Sequence, residues 1–168
     1  MFDKFGEFDS AEEINRAVAA QLAEGDTEAI LAIAEENGID KEDAEDYING
    51  YMDELVNPLM AAYGKLDVEA KELKPDGIMG DWLQYIKVRC SEDVNMAAAV
   101  RRKGKSLKGC ITELMLWSFT NMKQVDKDIV ALAKKKNKGL PDRISLGIPG
   151  MGRAKQIITD YYLKEENK

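Results

Sequence analysis

The stretch LKGCITELMLWSFTNM, residues 107–122, decides the fold of this chain. Its large apolar side chains recur every three or four residues, at Leu107, Ile111, Leu114, Met115, Phe119 and Met122. This spacing puts them on one side of an α-helix and predicts a helix near the centre of the core. Alternating patterns typical of strands are nearly absent, and residues 144–148 are the one strand candidate.

Helix signals extend outward from this stretch in both directions. Ser10 precedes Glu13 by three residues, a capping box that predicts the start of a first helix, and Gly25 predicts its end. Pro58 suits the first turn of another helix, and residues 74–77 form a turn. Other side chains that can cap helix starts are Asp26, Asp40, Ser91 and Asp126. The sequence therefore predicts an all-α fold, a bundle of about eight short helices.

The composition excludes several kinds of catalytic site. The chain has 168 residues and no histidine, which excludes a Ser-His-Asp triad, a Cys-His pair and His-ligated zinc or haem. Its two cysteines, Cys90 and Cys110, are too few for a four-thiolate metal site. They fall on apolar helical stretches, so we expect them in the core. We expect no enzyme activity, no cofactor and no bound metal.

Charge is distributed unevenly along the chain. Residues 1–84 hold 22 acidic and 6 basic side chains, a net of −16, whereas residues 85–168 hold 9 acidic and 18 basic ones, a net of +9. We expect an acidic helical region over residues 1–74 and a basic helical region over residues 78–168, either separate or within one continuous domain. The two regions can neutralise each other across an internal interface, or one of them can face a charged partner.

The helix that Asp40 is predicted to begin carries apolar residues on one side and carboxylates on the other. Its apolar positions are Ala44, Tyr47, Ile48, Tyr51 and Leu55. Glu42, Asp46 and Asp53 are spaced by 4 and 7 residues, which predicts a carboxylate face opposite the tyrosines. Such a face can imitate a row of phosphates, and a plain solubilising face is the alternative. The residues predicted to bind a partner are Glu35, Glu36, Asp40, Glu42, Asp43, Glu45, Asp46 and Asp53.

The basic region contains features that suit a phosphate backbone. Residues 148–153, IPGMGR, resemble the hairpin of helix-hairpin-helix modules, in which backbone amides face a nucleic-acid phosphate. The glycines permit close backbone approach, and a glycine-rich turn that simply starts a helix is the alternative. The residues predicted to bind nucleic acid are Arg101, Arg102, Lys103, Lys105, Lys108, Lys134, Lys135, Lys136, Gly150, Gly152, Arg153 and Lys155.

Three short segments resemble proteins of mobile genetic elements. Residues 105–111, KSLKGCI, and the closing Asp160-Tyr161-Tyr162 resemble the PcfK-like proteins of conjugative elements. Residues 1–8, MFDKFGEF, resemble small proteins carried on mobile elements of gut Firmicutes. Some proteins of that neighbourhood inhibit type II CRISPR nucleases. No active-site residue is carried over from the resemblance.

The resemblance implies a non-catalytic anti-CRISPR inhibitor whose partner is a type II CRISPR effector nuclease with its guide RNA. That nuclease holds guide and target in a positively charged channel, which the acidic face would occupy as a DNA mimic. The basic region would contact DNA or RNA. The alternatives are a nucleic-acid-binding accessory protein of a conjugative element or plasmid, and a helical interaction module whose two halves pair with each other.

The sequence also gives an expectation for cellular location. It has no apolar run long enough for a signal peptide, and none approaches the ~20 residues of a membrane span. We therefore expect a cytoplasmic protein of a bacterial cell, encoded on a mobile element or a phage, with no membrane partner.

Overall fold

Helices form most of the structure, a computed structural model that describes residues 4–164. Residues 1–3 and 165–168 lie outside the described residues. They include the start of the segment 1–8 and the outer ends of the predicted acidic and basic regions. The all-α prediction is confirmed. In chain order the described elements are α1 (Ala11–Glu24), α2 (Thr27–Glu36), α3 (Lys41–Ile48), α4 (Pro58–Leu73), α5 (Ile78–Glu92), α6 (Val94–Arg101), α7 (Leu107–Thr120), β1 (Lys123–Gln124), α8 (Lys127–Lys136), β2 (Ser145–Leu146) and α9 (Met151–Leu163).

Three predicted side-chain caps, Ser10, Asp26 and Asp126, start α1, α2 and α8. The Ser10 hydroxyl accepts a hydrogen bond from the Glu13 amide at 3.2 Å, and the Asp26 carboxylate accepts one from Ala29 at 2.9 Å. The predicted cap at Ser91 is wrong. Asp93 begins α6 instead, because its carboxylate accepts from the Asn95 amide at 2.9 Å while the Ser91 hydroxyl donates to a carbonyl one turn earlier in α5.

The buried apolar residues form two clusters that meet along α4. The first joins α1, α2 and α3 with Ala61 of α4. The second joins α5, α6, α7 and α9 with Ala62 and Leu66 of α4. Both sides of the turn at residues 74–77 contribute to the second cluster. The change from one cluster to the other therefore lies within α4 and not at that turn.

The end of α2 crosses α4 at two glycines. Gly38 has a φ of +68°, and a Cβ there would overlap the carbonyl oxygen of Gly64 in α4. A Cβ on Gly64 would in turn overlap the carbonyl oxygen of Asn37. The backbones touch directly because neither position carries a side chain, and this contact fixes the first cluster against the second.

The helix predicted within residues 107–122 is α7, and only one side of it is buried. Leu107, Cys110 and Leu114 face the second cluster. Met115 is 58% exposed, Phe119 is 73% exposed and Met122, just after the helix, is 47% exposed, so the prediction that these three side chains lie in the core is wrong. The adjacent apolar positions from 114 to 117 cover more of the helix circumference than α5, α6 and α9 can bury.

A short antiparallel ladder follows α7. Lys123 pairs with Leu146 and Gln124 with Ser145, so the strand candidate at residues 144–148 is confirmed in part. The partner strand β1 was not predicted, because two exposed residues give no alternating pattern. Among residues 4–164, no helix has the length and apolar content to cross a membrane.

Candidate binding surfaces

Exposed carboxylates cluster on the last turn of α2 and along α3. Glu35, Glu42, Glu45 and Asp46 are exposed, as is Asp40, which begins α3 without a side-chain cap. Glu42 and Asp46 are one helical turn apart, so their charges add on one side of α3. We call the acidic surface the set Glu35, Asp40, Glu42, Asp43, Glu45 and Asp46.

Asp53 does not belong to the predicted helix face. The helix α3 ends at Ile48, because Gly50 adopts a φ of +78° and the Tyr51 amide donates to the Asp46 carbonyl at 2.9 Å. These bonds close the helix end, and the chain then leaves the helix axis. Asp53 is exposed in the following segment, and Tyr51, predicted to be buried, is 79% exposed.

Glu36 acts within the chain. Its two carboxylate oxygens accept the backbone amides of Lys4 at 2.8 Å and Phe5 at 3.1 Å, and its side chain is partly buried. These bonds tie the N-terminal segment to the end of α2. Glu36 therefore satisfies backbone donors and is not part of the acidic surface.

Ion pairs between the two halves do not involve the acidic surface. Within residues 4–164 they join Asp67 to Lys87 at 2.6 Å, Glu72 to Lys108 at 3.8 Å and Glu13 to Lys103 at 4.0 Å. In the acidic surface, the described ion pairs are limited to Glu45 with Lys41 in its own helix, at 2.9 Å. Exposed pairs contribute at most about 1 kcal/mol each. Internal neutralisation therefore leaves most of the acidic surface charged.

Arg101 is not a surface residue, and its predicted contact with nucleic acid is wrong. It is 1% exposed at the end of α6, where its guanidinium donates to the carbonyls of Phe8 at 3.1 Å and Ala61 at 3.4 Å and to the side-chain oxygen of Asn37. Burial lowers the pKa of Arg101 to about 10, so the group stays charged at neutral pH. Arg101 therefore joins the N-terminal segment, α2 and α4.

Among the other basic residues after α6, Lys103 and Lys108 lie near carboxylates of the acidic half. Arg102 and Lys103 are exposed, and the Lys103 amide donates to the Asp9 carboxylate at 2.7 Å. Lys105 is partly buried, with its ammonium 3.3 Å from the Lys164 carbonyl and 5.2 Å from the centre of the Tyr161 ring. Lys108 is exposed beside Glu72.

The remaining basic residues lie on α8 and at the start of α9. Lys134 pairs with Asp142, while Lys135 and Lys136 are exposed at the end of α8. Arg153 and Lys155 are exposed on the first turns of α9, where Arg153 bonds Gln156 at 2.8 Å and the Lys155 ammonium lies 5.2 Å from the Tyr85 ring centre.

Gly150 and Gly152 are exposed at the start of α9, but the fold does not require glycine at either position. Gly150 has a φ of −61°, and a Cβ on either residue would meet no atom within 4 Å. The connection between α8 and α9 contains β2 and spans residues 137–150, which differs from the short hairpin that the sequence resembles.

The predicted nucleic-acid-binding residues lie at three places in the fold, around the start of α7, at the end of α8 and at the start of α9. Lys105 contacts Tyr161 near the end of α9, whereas Arg153 lies at its beginning. Tyr161 lies eight positions after Arg153 in the helix, roughly 12 Å along the axis. Within residues 4–164, no described hydrogen bond, ion pair or cation–aromatic contact links the lysines of α8 to either group.

Both cysteines lie in the core, as predicted. Cys90 is 3% exposed and Cys110 is 0% exposed, and burial raises the pKa of each thiol to about 12. Because the thiolate is the reactive form, each thiol is almost entirely protonated and unreactive at neutral pH. In the described part of the chain, no group of carboxylates and thiols is arranged to hold a metal ion.

We expect the native thiols to react slowly with Ellman's reagent at pH 7.5. The reaction should be at least about 100-fold slower than in the urea-unfolded chain, because the higher pKa and burial both lower the accessible thiolate. A Ser145→Cys variant supplies an exposed thiol on β2 as a control and should add one fast phase. Fast reaction of both native thiols would contradict the buried positions of Cys90 and Cys110.

The fold and these surfaces define an all-α protein with exposed carboxylates on α2 and α3 and exposed cations on its other half. Comparisons with protein-family models, curated proteins and solved structures found no match to this chain.

Proposed function

We propose that this protein is a non-catalytic inhibitor of a type II CRISPR RNA-guided DNA nuclease and binds the nuclease–guide complex through its acidic surface. The observation that carries the proposal is the concentration of exposed carboxylates on α3 that the basic half of the chain does not neutralise. A helix selected for stability alone would alternate its charges, because like charges one turn apart destabilise it.

The positive charge of the proposed target suits the acidic surface. The nuclease binds nucleic acid in a positively charged channel and recognises a short flanking motif with arginine side chains. Carboxylates on consecutive turns of a rigid helix present negative charge at regular intervals and can occupy such a site without being cleaved. Because the attraction is between opposite charges in water, it weakens as salt screens it.

A nucleic-acid-binding accessory protein of a conjugative element is a second candidate. It is favoured by the exposed Lys135 and Lys136 at the end of α8, which have no acidic partner among the described residues. Binding of the whole chain to duplex DNA with a steep loss on adding salt, without nuclease inhibition, would support this candidate over the inhibitor.

We expect reversal of two carboxylates on α3 to weaken inhibition. With purified nuclease, guide and target DNA at low salt, the variant Glu42→Lys/Asp46→Lys should require at least tenfold more protein than the parent for half inhibition. Both side chains are exposed and lack a described bonding partner, so the substitution should not disturb the core.

A matched variant controls for the change in net charge. Glu24→Lys/Asp81→Lys also reverses two exposed carboxylates, but on α1 and α5, and should inhibit like the parent. Equal loss of inhibition in both variants would show that net charge alone causes the effect. Full inhibition by the α3 variant would remove the acidic surface from the mechanism.

A further inference from the structure

Large apolar side chains remain exposed on α7 and just after its end. Met115 and Phe119 lie four positions apart on α7, and Met122 follows three positions later, just beyond the end of the helix at Thr120. Met115, Phe119 and Met122 are 58%, 73% and 47% exposed, and the adjacent Leu116 is 50% exposed. We call these residues the outer face of α7. A contiguous apolar patch of this kind on a folded protein marks an interaction site.

The spacing of the outer face suits another helix. Separations of alternately three and four residues keep apolar side chains on the seam between two helices that cross at a small angle. A surface for nucleic acid would instead combine aromatic rings with cations, and here Met115, Leu116 and Met122 surround a single exposed ring. The outer face therefore fits a helix of a protein.

The charges at its two ends differ in sign. Glu113 is exposed near the start of the face, and Lys123 is exposed just beyond its end, opposite Leu146 in the ladder. Lys108, one turn before Thr112, already lies 3.8 Å from Glu72. The polar or apolar side chains between these ends, among them Leu116, Thr120 and Asn121, carry no charge. The face thus has an acidic end, a neutral centre and a basic end.

We propose that the outer face of α7 binds the same face of a second copy of this chain in antiparallel orientation. A two-fold axis near the middle of the face sets Met115 against the partner's Phe119 and brings Glu113 close to the partner's Lys123. The same two contacts then recur on the other side of the axis, so one surface complements itself. A parallel pairing would instead bring like charges together at each end. This inference does not depend on the proposed function.

The oligomeric state of the full chain tests the proposal directly. Light scattering coupled to size-exclusion chromatography should give a mass near twice 18.8 kDa at about 100 µM, and sedimentation equilibrium should give the dissociation constant. Phe119→Glu should raise that constant at least tenfold, because two carboxylates would enter the apolar seam. Val88→Glu, on the exposed side of α5, is the matched control and should leave the constant unchanged. Far-UV circular dichroism checks that both variants are folded.

Charge exchange tests the antiparallel orientation. Glu113→Lys and Lys123→Glu should each weaken the dimer, and the double variant Glu113→Lys/Lys123→Glu should restore it, because opposite charges meet again. A parent that stays monomeric at 100 µM overturns the proposal and assigns the outer face to a different protein. A dimer that tolerates Phe119→Glu, or a double variant no stronger than the single ones, also overturns it.

Discussion

Replacing Arg101 by alanine should lower the free energy of unfolding by about 3–5 kcal/mol, the range for breaking a buried charged network. The side chain is 1% exposed and holds acceptors from three separate parts of the chain, the carbonyls of Phe8 and Ala61 and the side chain of Asn37. Asn37 is itself fixed by donation to the Ile33 carbonyl at 2.8 Å. Alanine leaves buried acceptors without donors, each a penalty of about 1–3 kcal/mol.

The neighbouring Arg102 supplies the matched control. It carries the same side chain but is exposed, so Arg102→Ala should change stability by less than about 0.5 kcal/mol. Urea unfolding followed by circular dichroism measures both variants. Equal losses for the two arginines would contradict the buried position of Arg101 and the contact between the first and second clusters that it supports.

Gly64→Ala should destabilise the protein by about 2 kcal/mol or more, although alanine normally favours helices over glycine by about 1 kcal/mol. A Cβ at this position in α4 would overlap the Asn37 carbonyl oxygen, and that atom belongs to the backbone next to Gly38. The end of α2 would have to move away from α4, which would disturb the Asn37–Arg101 contact as well.

The control for this prediction is Gly152→Ala, in the first turn of α9. A Cβ there meets nothing within 4 Å, so the substitution should be neutral or stabilising by up to about 1 kcal/mol. Thermal or urea unfolding compares the two variants. A stabilised Gly64→Ala protein would show that α2 and α4 do not touch at this point.

Helix positions could be predicted from the sequence because their signals are local. Ser10 with Glu13, Asp26 and Pro58 each act on backbone groups within one turn, and the helices begin where these residues predict. The wrong prediction at Ser91 also arises because capping signals are local. Ser91 and Asp93 are both good caps two residues apart, and only the three-dimensional path of the chain decides between them.

Burial could not be predicted as well, because it depends on residues distant in sequence. Arg101 carries the charge of a surface residue, and the groups that satisfy it come from positions 8, 37 and 61. Nothing near it in the sequence indicates this environment. For α7, the four consecutive apolar residues from Leu114 to Trp117 cannot all lie on one helix face, but which of them become buried depends on the helices that pack against α7.

The acidic surface was predicted in outline and corrected in detail. Its residues on α3 are exposed as expected, while Asp53 lies outside the helix because Gly50 ends it, and Glu36 binds backbone amides. The prediction continued the helical spacing past Gly50. In the structure Gly50 adopts a left-handed conformation, and α3 ends before it. A turn signal at Asn49-Gly50 was present in the sequence and marks this boundary.

Titration of the protein against a fixed amount of nuclease–guide complex is the direct test of the proposed inhibition. With the complex well above the dissociation constant, cleavage of target DNA should fall in proportion to added protein and stop at a fixed molar ratio. The mass of the nuclease, guide and inhibitor should each be unchanged afterwards, as expected for binding without catalysis. Undiminished cleavage at tenfold molar excess, or complete inhibition by trace amounts of the protein, would contradict inhibition by stoichiometric binding.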